Sequence, residues 1–236
     1  MKVRVLGICG SPRKPSNSGY LLDQALEEAQ KVSEKVEIKK YSFVGKKFAP
    51  CLSCFKCEEL KGECVQKDSL QELKDMWLEA DVVLYSIPVY HMTIPGQLKC
   101  FIDRLGNTIV MSTGTMLKQC KVIGAIVQAA SICAGQEHAM TDIINHALVM
   151  GSIPAAGDLW QSYIGAGGWT HHHYTGDALK KLHKKGEFGA EVTVKASRDV
   201  GRRTVLLALI VKQGAIIERE MLEKEGATYK PLLDRL

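Results

Sequence analysis

Short apolar, β-prone runs alternate with amphipathic helical stretches from the first residues to about position 156, and this alternation restricts the fold more than any other feature. Val3, Val5, Leu6 and Ile8 form the first run, which empties into a Gly/Ser/Pro-rich loop, Cys9 to Ser18. Leu21, Leu22, Ala25, Leu26 and Ala29 then recur at helical spacing, with Asp23, Gln24, Glu27 and Glu28 between them. Val36 to Tyr41 alternates with a period near two, and Asp68-Ser69 opens a helix through Leu70, Leu73, Met76, Trp77 and Ala80. Val82 to Ile87 reads as a buried strand that ends in the loop Pro88 to Gly96, ahead of a helix around Leu98 to Leu105. Val122 to Val127 is another buried strand, Met140 to Met150 another helix, and Ile153 to Ala156 a weak fifth strand. Strands and helices of these lengths imply βαβ crossovers. The expected fold is therefore α/β: a doubly wound, five-stranded parallel sheet with helices on both faces and binding loops at the carboxyl ends of the strands.

The tail carries a different pattern. Gly165 to Gly176 reads as a Gly/His/Tyr loop, Glu191 to Val211 as a helix, and Glu218 to Leu236 as a polar helix with Pro231 near its end. The expected partition is one domain over 1–165 with an inserted cysteine loop at about 48–66. Residues 166–236 are expected to form a C-terminal extension of that domain, a loop plus helices, that supplies oligomer contacts. With 46% hydrophobic and 24% charged residues, the 236-residue chain is globular in composition, which excludes disorder, collagen and coiled coil. The longest apolar run, Val205 to Val211, is far too short to span a bilayer, and the first residues enter a strand pattern directly. These features predict a cytoplasmic protein with no membrane partner. The formal charge of +5 is mild and not gathered in one block, which argues against nucleic acid.

The first loop, Gly10-Ser11-Pro12-Arg13-Lys14-Pro15-Ser16-Asn17-Ser18, sets backbone N–H groups, three hydroxyls and a guanidinium at a helix start, where an anion is favoured. No Gly-Lys-Thr or Gly-Lys-Ser follows and no Gly-x-Gly-x-x-Gly is present, so neither common nucleotide fingerprint applies. A phosphomonoester suits the loop; a plain turn with a helix cap uses the same residue types.

Together with Ser86-Ile87-Pro88-Val89-Tyr90 and Lys99-Cys100-Phe101-Ile102-Asp103-Arg104, this loop resembles the flavodoxin-like NAD(P)H-dependent FMN reductase superfamily over roughly the first 160 residues. The resemblance implies that Ser11, Arg13, Ser16, Asn17 and Ser18 hold the FMN phosphate. It further implies that Pro88, Val89, Tyr90, His91 and Met92 lie against the flavin ring. Ala130 and Ser131, ahead of Gly135-Gln136-Glu137, resemble a third flavin-contacting loop, although Ala134 stands where a glycine is usual. All three loops leave the carboxyl ends of expected parallel strands, where they can converge on one ligand.

Eight cysteines in a chain expected to meet a reducing compartment ask to be read as metal ligands or redox groups rather than disulfides. Cys51-x2-Cys54-x2-Cys57-x6-Cys64 supplies four thiolates within one short segment, suited to a [4Fe–4S] cluster or to tetrahedral zinc. Nothing separates the cysteines into two knuckles, which favours iron and sulfide. The spacing is similar to that of the iron–sulfur flavoproteins, a branch of the same superfamily, and that resemblance implies FMN plus one [4Fe–4S] cluster on Cys51, Cys54, Cys57 and Cys64. Free thiols in a cluster-less reductase remain the other reading of the same residues.

The resemblance implies an oxidoreductase in which FMN exchanges electrons with the cluster and onward to a carrier or acceptor. NAD(P)H or a ferredoxin-like carrier is the donor, a small molecule is among the acceptors, and the assembly is a homodimer or homotetramer. One alternative is an NAD(P)H-dependent FMN or quinone reductase without the cluster; another is a zinc-stapled binding protein without enzyme activity. No residue arrangement of the hydrolase kind occurs, so no protein acid, base or nucleophile is assigned. Cys9, Cys100, Cys120 and Cys133 read as small buried hydrophobes, His171-His172-His173 as an exposed loop, with packing beside a flavin or a neighbouring subunit as the alternative, and Lys99, Asp103 and Arg104 as a solvated helix face.

Overall fold

A computed structural model describes residues 1–236. Five positions of one parallel sheet are filled in the order β2-β1-β3-β4-β5, with β1 Val3–Cys9, β2 Val36–Ser42, β3 Val82–Pro88, β4 Val122–Ala129 and β5 Ile153–Ala155. The order reverses between β1 and β3, which opens a crevice at their carboxyl ends. The last position is shared. β5 pairs with the first half of β4 through Val122 to Gly124, and a further short strand, β6 Ala166–Trp169, pairs with its second half through Ile126 to Ala129. Part of the segment expected to be loop over Gly165 to Gly176 is thus strand: Gly and Ala give no period-two signal, but the unpaired end of β4 offers them a ladder.

Alternation of apolar side chains along the strands feeds two cores. Leu6, Ile8, Val83, Tyr85, Ile87 and Ile123 face α3 Leu70–Glu79, α4 Gly96–Thr113 and α5 Gln136–Val149. Val3, Val5, Val82, Leu84, Val122 and Ile126 face α1 Asn17–Lys31 and α7 Phe188–Ile217. Thirty residues make α7 about 45 Å long, enough to cross the whole sheet. It lies so close to α1 that a Cβ on Gly201 would sit 2.2 Å from the Ala25 carbonyl oxygen. Residues after 165 therefore build a strand of the sheet and much of one helical layer.

The expected polar helix over Glu218 to Leu236 is broken into α8 Arg219–Lys224, a 3-10 turn at Gly226–Tyr229 and α9 Lys230–Leu233. The chain end then turns in to the sheet's amino edge. There Lys212 Nζ donates to Asp81 (2.9 Å), to Lys2 O and to Arg235 O, while Arg235 Nε donates to Asp81 Oδ1 (3.2 Å). Earlier in the tail, between β6 and α7, a short helix, α6 Ala178–Lys184, is pinned to α1 by Tyr20 OH and His183 Nδ1 at 2.6 Å.

Candidate cofactor sites

The loop after β1 is placed by both its ends. Gly10 N donates to Ser86 O on β3 (2.9 Å), and Ser16 caps α1 by accepting from Gly19 N (3.0 Å). Ser11 and Ser18 are buried, Ser16 is half-buried, and the remaining first-turn N–H groups of α1 have no acceptor within the helix. Ser18 Oγ is buried with no hydrogen-bond partner at all, an arrangement that a phosphate oxygen would satisfy. Arg13 and Asn17 are turned elsewhere. Arg13 Nη1 donates to Tyr174 O (2.9 Å), Asn17 Nδ2 donates to Thr175 O (3.0 Å), and Asn17 Oδ1 accepts from Leu179 N (2.9 Å). Their side chains bind the tail across the loop, so the 174–179 segment forms one wall of this site. The sequence offered no local signal for that, since the partners are some 160 positions away.

The second loop closes on itself. Tyr90 N donates to Thr93 O and Thr93 N to Tyr90 O, leaving His91 and Met92 as a two-residue turn with φ of 48° and 71°. Non-glycine residues hold that left-handed turn at a cost of about 1 kcal/mol each, and such strain concentrates at ligand clamps. Pro88 is buried and Val89 half-buried at the strand end, whereas Tyr90, His91 and Met92 are exposed. Across from them Gly135, at φ 101°, packs so tightly that a Cβ would lie 2.3 Å from Met92 O.

The third loop, with Ala130 and Ser131 half-buried, is laced by Gln136, which accepts from Ala134 N and donates to Ser131 O and Gly168 O. A cavity of about 600 Å³ opens where this loop meets Met92 and is walled by Trp160, Tyr163, Trp169 and Ile132. That volume suits a planar ring system. Trp160 and Tyr163 of that wall sit on a segment held by Asp199 of α7, which accepts from Leu159 N and Ser162 Oγ, a long-range contact that local pattern does not show.

Two expectations nearby change. Cys133 is exposed with φ of 53°, not buried, because the third loop turns outward there. Cys100 and Cys120 are half-buried, and only Cys9 of the four lone cysteines lies within the core. His172 and His173 are exposed, but His171 stacks on Trp169 (3.9 Å between rings) and faces Glu187 Oε2 at 3.1 Å.

The cysteine segment follows β2 and contains a single helical turn, α2 Lys56–Glu59. Ser53, Phe55, Lys61 and Gly62 all take positive φ, which winds the segment into a compact loop. Cys51 and Cys54 are exposed, Cys57 and Cys64 half-buried. Burial pushes the Cys57 thiol up, and the neighbouring Cys54, Cys64 and Cys51 push it the same way. No three acidic, histidine or cysteine side chains are arranged to hold a single metal ion. Hydrogen-bond donors do meet the sulfurs. Arg104 Nη2 reaches Cys64 Sγ at 3.0 Å, and Asn107 Nδ2 and Ser53 N each reach Cys51 Sγ at 3.4 Å. Four thiols beside N–H donors and a buried cation fit an anionic, sulfur-ligated group.

Arg104 corrects the solvated-face expectation. Lys99 and Asp103 do pair at the surface, but Arg104 is 1% exposed and donates to Ala49 O (3.2 Å), Gln66 O (3.2 Å) and Asp68 Oδ2 (2.5 Å) as well as to Cys64. Burial alone would lower its pKa; the Asp68 and Cys64 bonds outweigh that and raise it. A signal was present. Arg104 falls three residues after Phe101 and four before Thr108, on the buried stripe of α4.

Residues 3–161 match the NADPH-dependent FMN reductase family. An iron–sulfur flavoprotein of Archaeoglobus fulgidus is 41% identical over 103 residues, 44% of this chain and 46% of that protein. A second one from the same organism is 31% identical over 166 residues, covering 70% and 82% of the two chains. The chain belongs to the FMN reductase family, in its iron–sulfur flavoprotein branch. The match to the first of these relatives spans about half of that relative's length. Among solved structures, an azoreductase from Bacillus anthracis superposes with a TM-score of 0.60 at 15% identity, over 85% of this chain and 99% of that one, a likeness of fold. Within the FMN reductase family model the matched stretch stops at 161, so β6, the 174–179 wall and α7 lie beyond it.

Proposed function

We propose that this chain is an FMN-dependent oxidoreductase that also carries a [4Fe–4S] cluster, moving electrons between the two and on to a carrier or acceptor. When bound, FMN supplies two-electron and the cluster one-electron chemistry. The observation that carries the reading is the coexistence of two built sites, a phosphate-ready helix start with an unpartnered Ser18 hydroxyl and a four-thiol loop with N–H donors on its sulfurs.

In this reading Ser11, Ser16 and Ser18 with the α1 N–H groups hold the phosphate, while Arg13 and Asn17 fasten the 174–179 wall over it. The strained turn of Tyr90, His91 and Met92, with Pro88 and Val89 behind it, fixes one side of the ring site; Ala130 and Ser131 fix the other. Cys51, Cys54, Cys57 and Cys64 hold the cluster. One helix spans both places: α4 begins just past the second loop, and Asn107 lies about 16 Å further along its axis. That separation favours a homo-oligomer in which a second copy brings its flavin nearer. The donor is NAD(P)H or a ferredoxin-like carrier, in a cytoplasmic setting that suits eight free thiols; no helix is long and apolar enough to cross a membrane. Residues 166–236 belong to the same domain as 1–165.

Anaerobic purification followed by the visible spectrum and by iron, sulfide, zinc and FMN analysis tests this. One FMN with roughly four iron and four sulfide per chain is expected. FMN without iron would give the case to a cluster-less FMN or quinone reductase, and zinc without FMN to a stapled binding protein. Mixing with NADH, NADPH and reduced ferredoxin in turn then identifies the donor by its rate.

A further inference from the structure

Two cations are buried against the cysteine loop, and only one of them has a carboxylate partner. Arg104 is paired with Asp68, yet it spends its other terminal nitrogen on Cys64 Sγ and leaves its Nε–H buried and unpartnered. Lys74, 6% exposed, has only the Gly62 carbonyl, at 2.5 Å, as a hydrogen-bond partner; Asp75, Cys57, Glu63 and Cys64 supply the negative charge around it, with neither carboxylate within salt-bridge distance. Burying charge without a counter-charge is expensive. The pair becomes reasonable where four thiolates share the same ground. Resting on the proposal that these thiolates carry a cluster, we infer that Arg104 and Lys74 set its reduction potential, Arg104 by a charge-assisted hydrogen bond to the Cys64 sulfur and Lys74 by its charge buried beside the loop.

The physical reason is a difference between two redox states. Reduction delivers one electron from the flavin or carrier and adds one negative charge to the sulfur-ligated group, with no bond made or broken and no proton required. A fixed buried cation is attracted more strongly to the more negative state, and a hydrogen bond to a ligating sulfur strengthens as that sulfur gains charge. Both effects favour the reduced form and raise the potential. Exposed lysines nearby, such as Lys56 and Lys67, are screened by water and bonded to Glu59 and Glu63, so they contribute little.

Redox titration of the whole anaerobic protein, followed by electron paramagnetic resonance for the cluster and by absorbance for FMN, tests the inference. Arg104→Gln is expected to disfavour reduction about tenfold, a drop of about 59 mV for one electron. Arg104→Lys and Lys74→Met are expected to disfavour it severalfold, Lys99→Gln on the exposed face not at all, and the FMN potential is expected to stay in place throughout. Full iron with unchanged cluster potential in the Arg104 variants would overturn the inference. Should Arg104→Gln lose its iron, Arg104→Lys and Lys74→Met read the same quantity, and unchanged potentials there overturn it equally. A wild-type protein with no iron or sulfide would instead sink the cluster reading itself, and this inference with it.

Discussion

The loop after β1 and the loop after β2 hold their candidate ligands by opposite means. The first is short and fixed by backbone: a Ser16 cap, a bond from Gly10 to β3, and a covering segment drawn from the far end of the chain. The second runs from residue 43 to residue 69 with one helical turn in it, keeps two of its thiols exposed, and takes its shape from side chains of α4. A phosphate is recognised by many weak backbone donors, so its loop needs rigidity. Thiolates bind strongly by themselves, so their loop needs only to be closed. Arg104 closes it, joining Ala49 ahead of the cysteines to Cys64, Gln66 and Asp68 at their end.

If that contrast is right, damage to the closure should be severe and, of the two cofactors, should cost only the metal. Asp68→Ala leaves the Arg104 guanidinium buried without its carboxylate and also removes the acceptor of Ala49 N and Leu70 N. A loss of about 3 kcal/mol in urea-unfolding stability is expected. Iron content should collapse while bound FMN persists; parallel loss of both would show that the two loops are not separately built.

Acid should strike beneath both loops at once. Trp77 Nε1 donates to Tyr85 OH at 2.9 Å, and Tyr85 OH lies 3.2 Å from His146 Nε2, tying α3, β3 and α5 inside the core. Burial lowers His146 from 6.5 to about 4, against a smaller opposite pull from Asp103. Between those two values the unfolded chain binds the proton that the native state refuses, so stability is complete above about pH 6.5 and falls as the pH drops toward 4. Moving from pH 7 to pH 5 should cost about 2 kcal/mol. His146→Gln should flatten that slope in urea titrations at the two pH values, and an unchanged slope would place the acid sensitivity elsewhere.

A smaller effect is expected at Asn17. Asn17→Ala removes two hydrogen bonds to the 175–179 segment and should cost about 1–2 kcal/mol. Because the wall it holds lies over the loop after β1, FMN should dissociate at least tenfold more readily in equilibrium dialysis while iron is retained. Tight FMN binding in that variant would make the tail a bystander.

Much of this was readable beforehand, and the exceptions share a cause. Strands such as Val82 to Ile87 announce themselves because a doubly buried strand must be apolar throughout, and the cysteine spacing is explicit in the chain. What escaped was whatever depends on a distant partner. β6 forms because β4 has an unpaired half, Trp160 and Tyr163 reach the cavity because Asp199 holds their segment, and Asn17 serves the tail because Thr175 and Leu179 come to it. Local pattern carries element type; it does not carry the contacts between elements far apart in the chain.

Lys99 and Arg104 isolate that lesson within one helix. The two are five residues apart and carry the same charge, yet Lys99 pairs with Asp103 in solvent while Arg104 lies on the stripe shared by Phe101 and Thr108. An exposed pair at i, i+4 trades modest attraction for side-chain freedom, so Lys99→Ala should change stability by less than about 0.5 kcal/mol and leave both cofactors in place. A thermal melt with cofactor analysis checks this. A large loss there would mean that the outer face of α4 is itself covered, most simply by a second copy of the chain, and the contrast between a buried clamp and an idle surface pair would have to be redrawn around that interface.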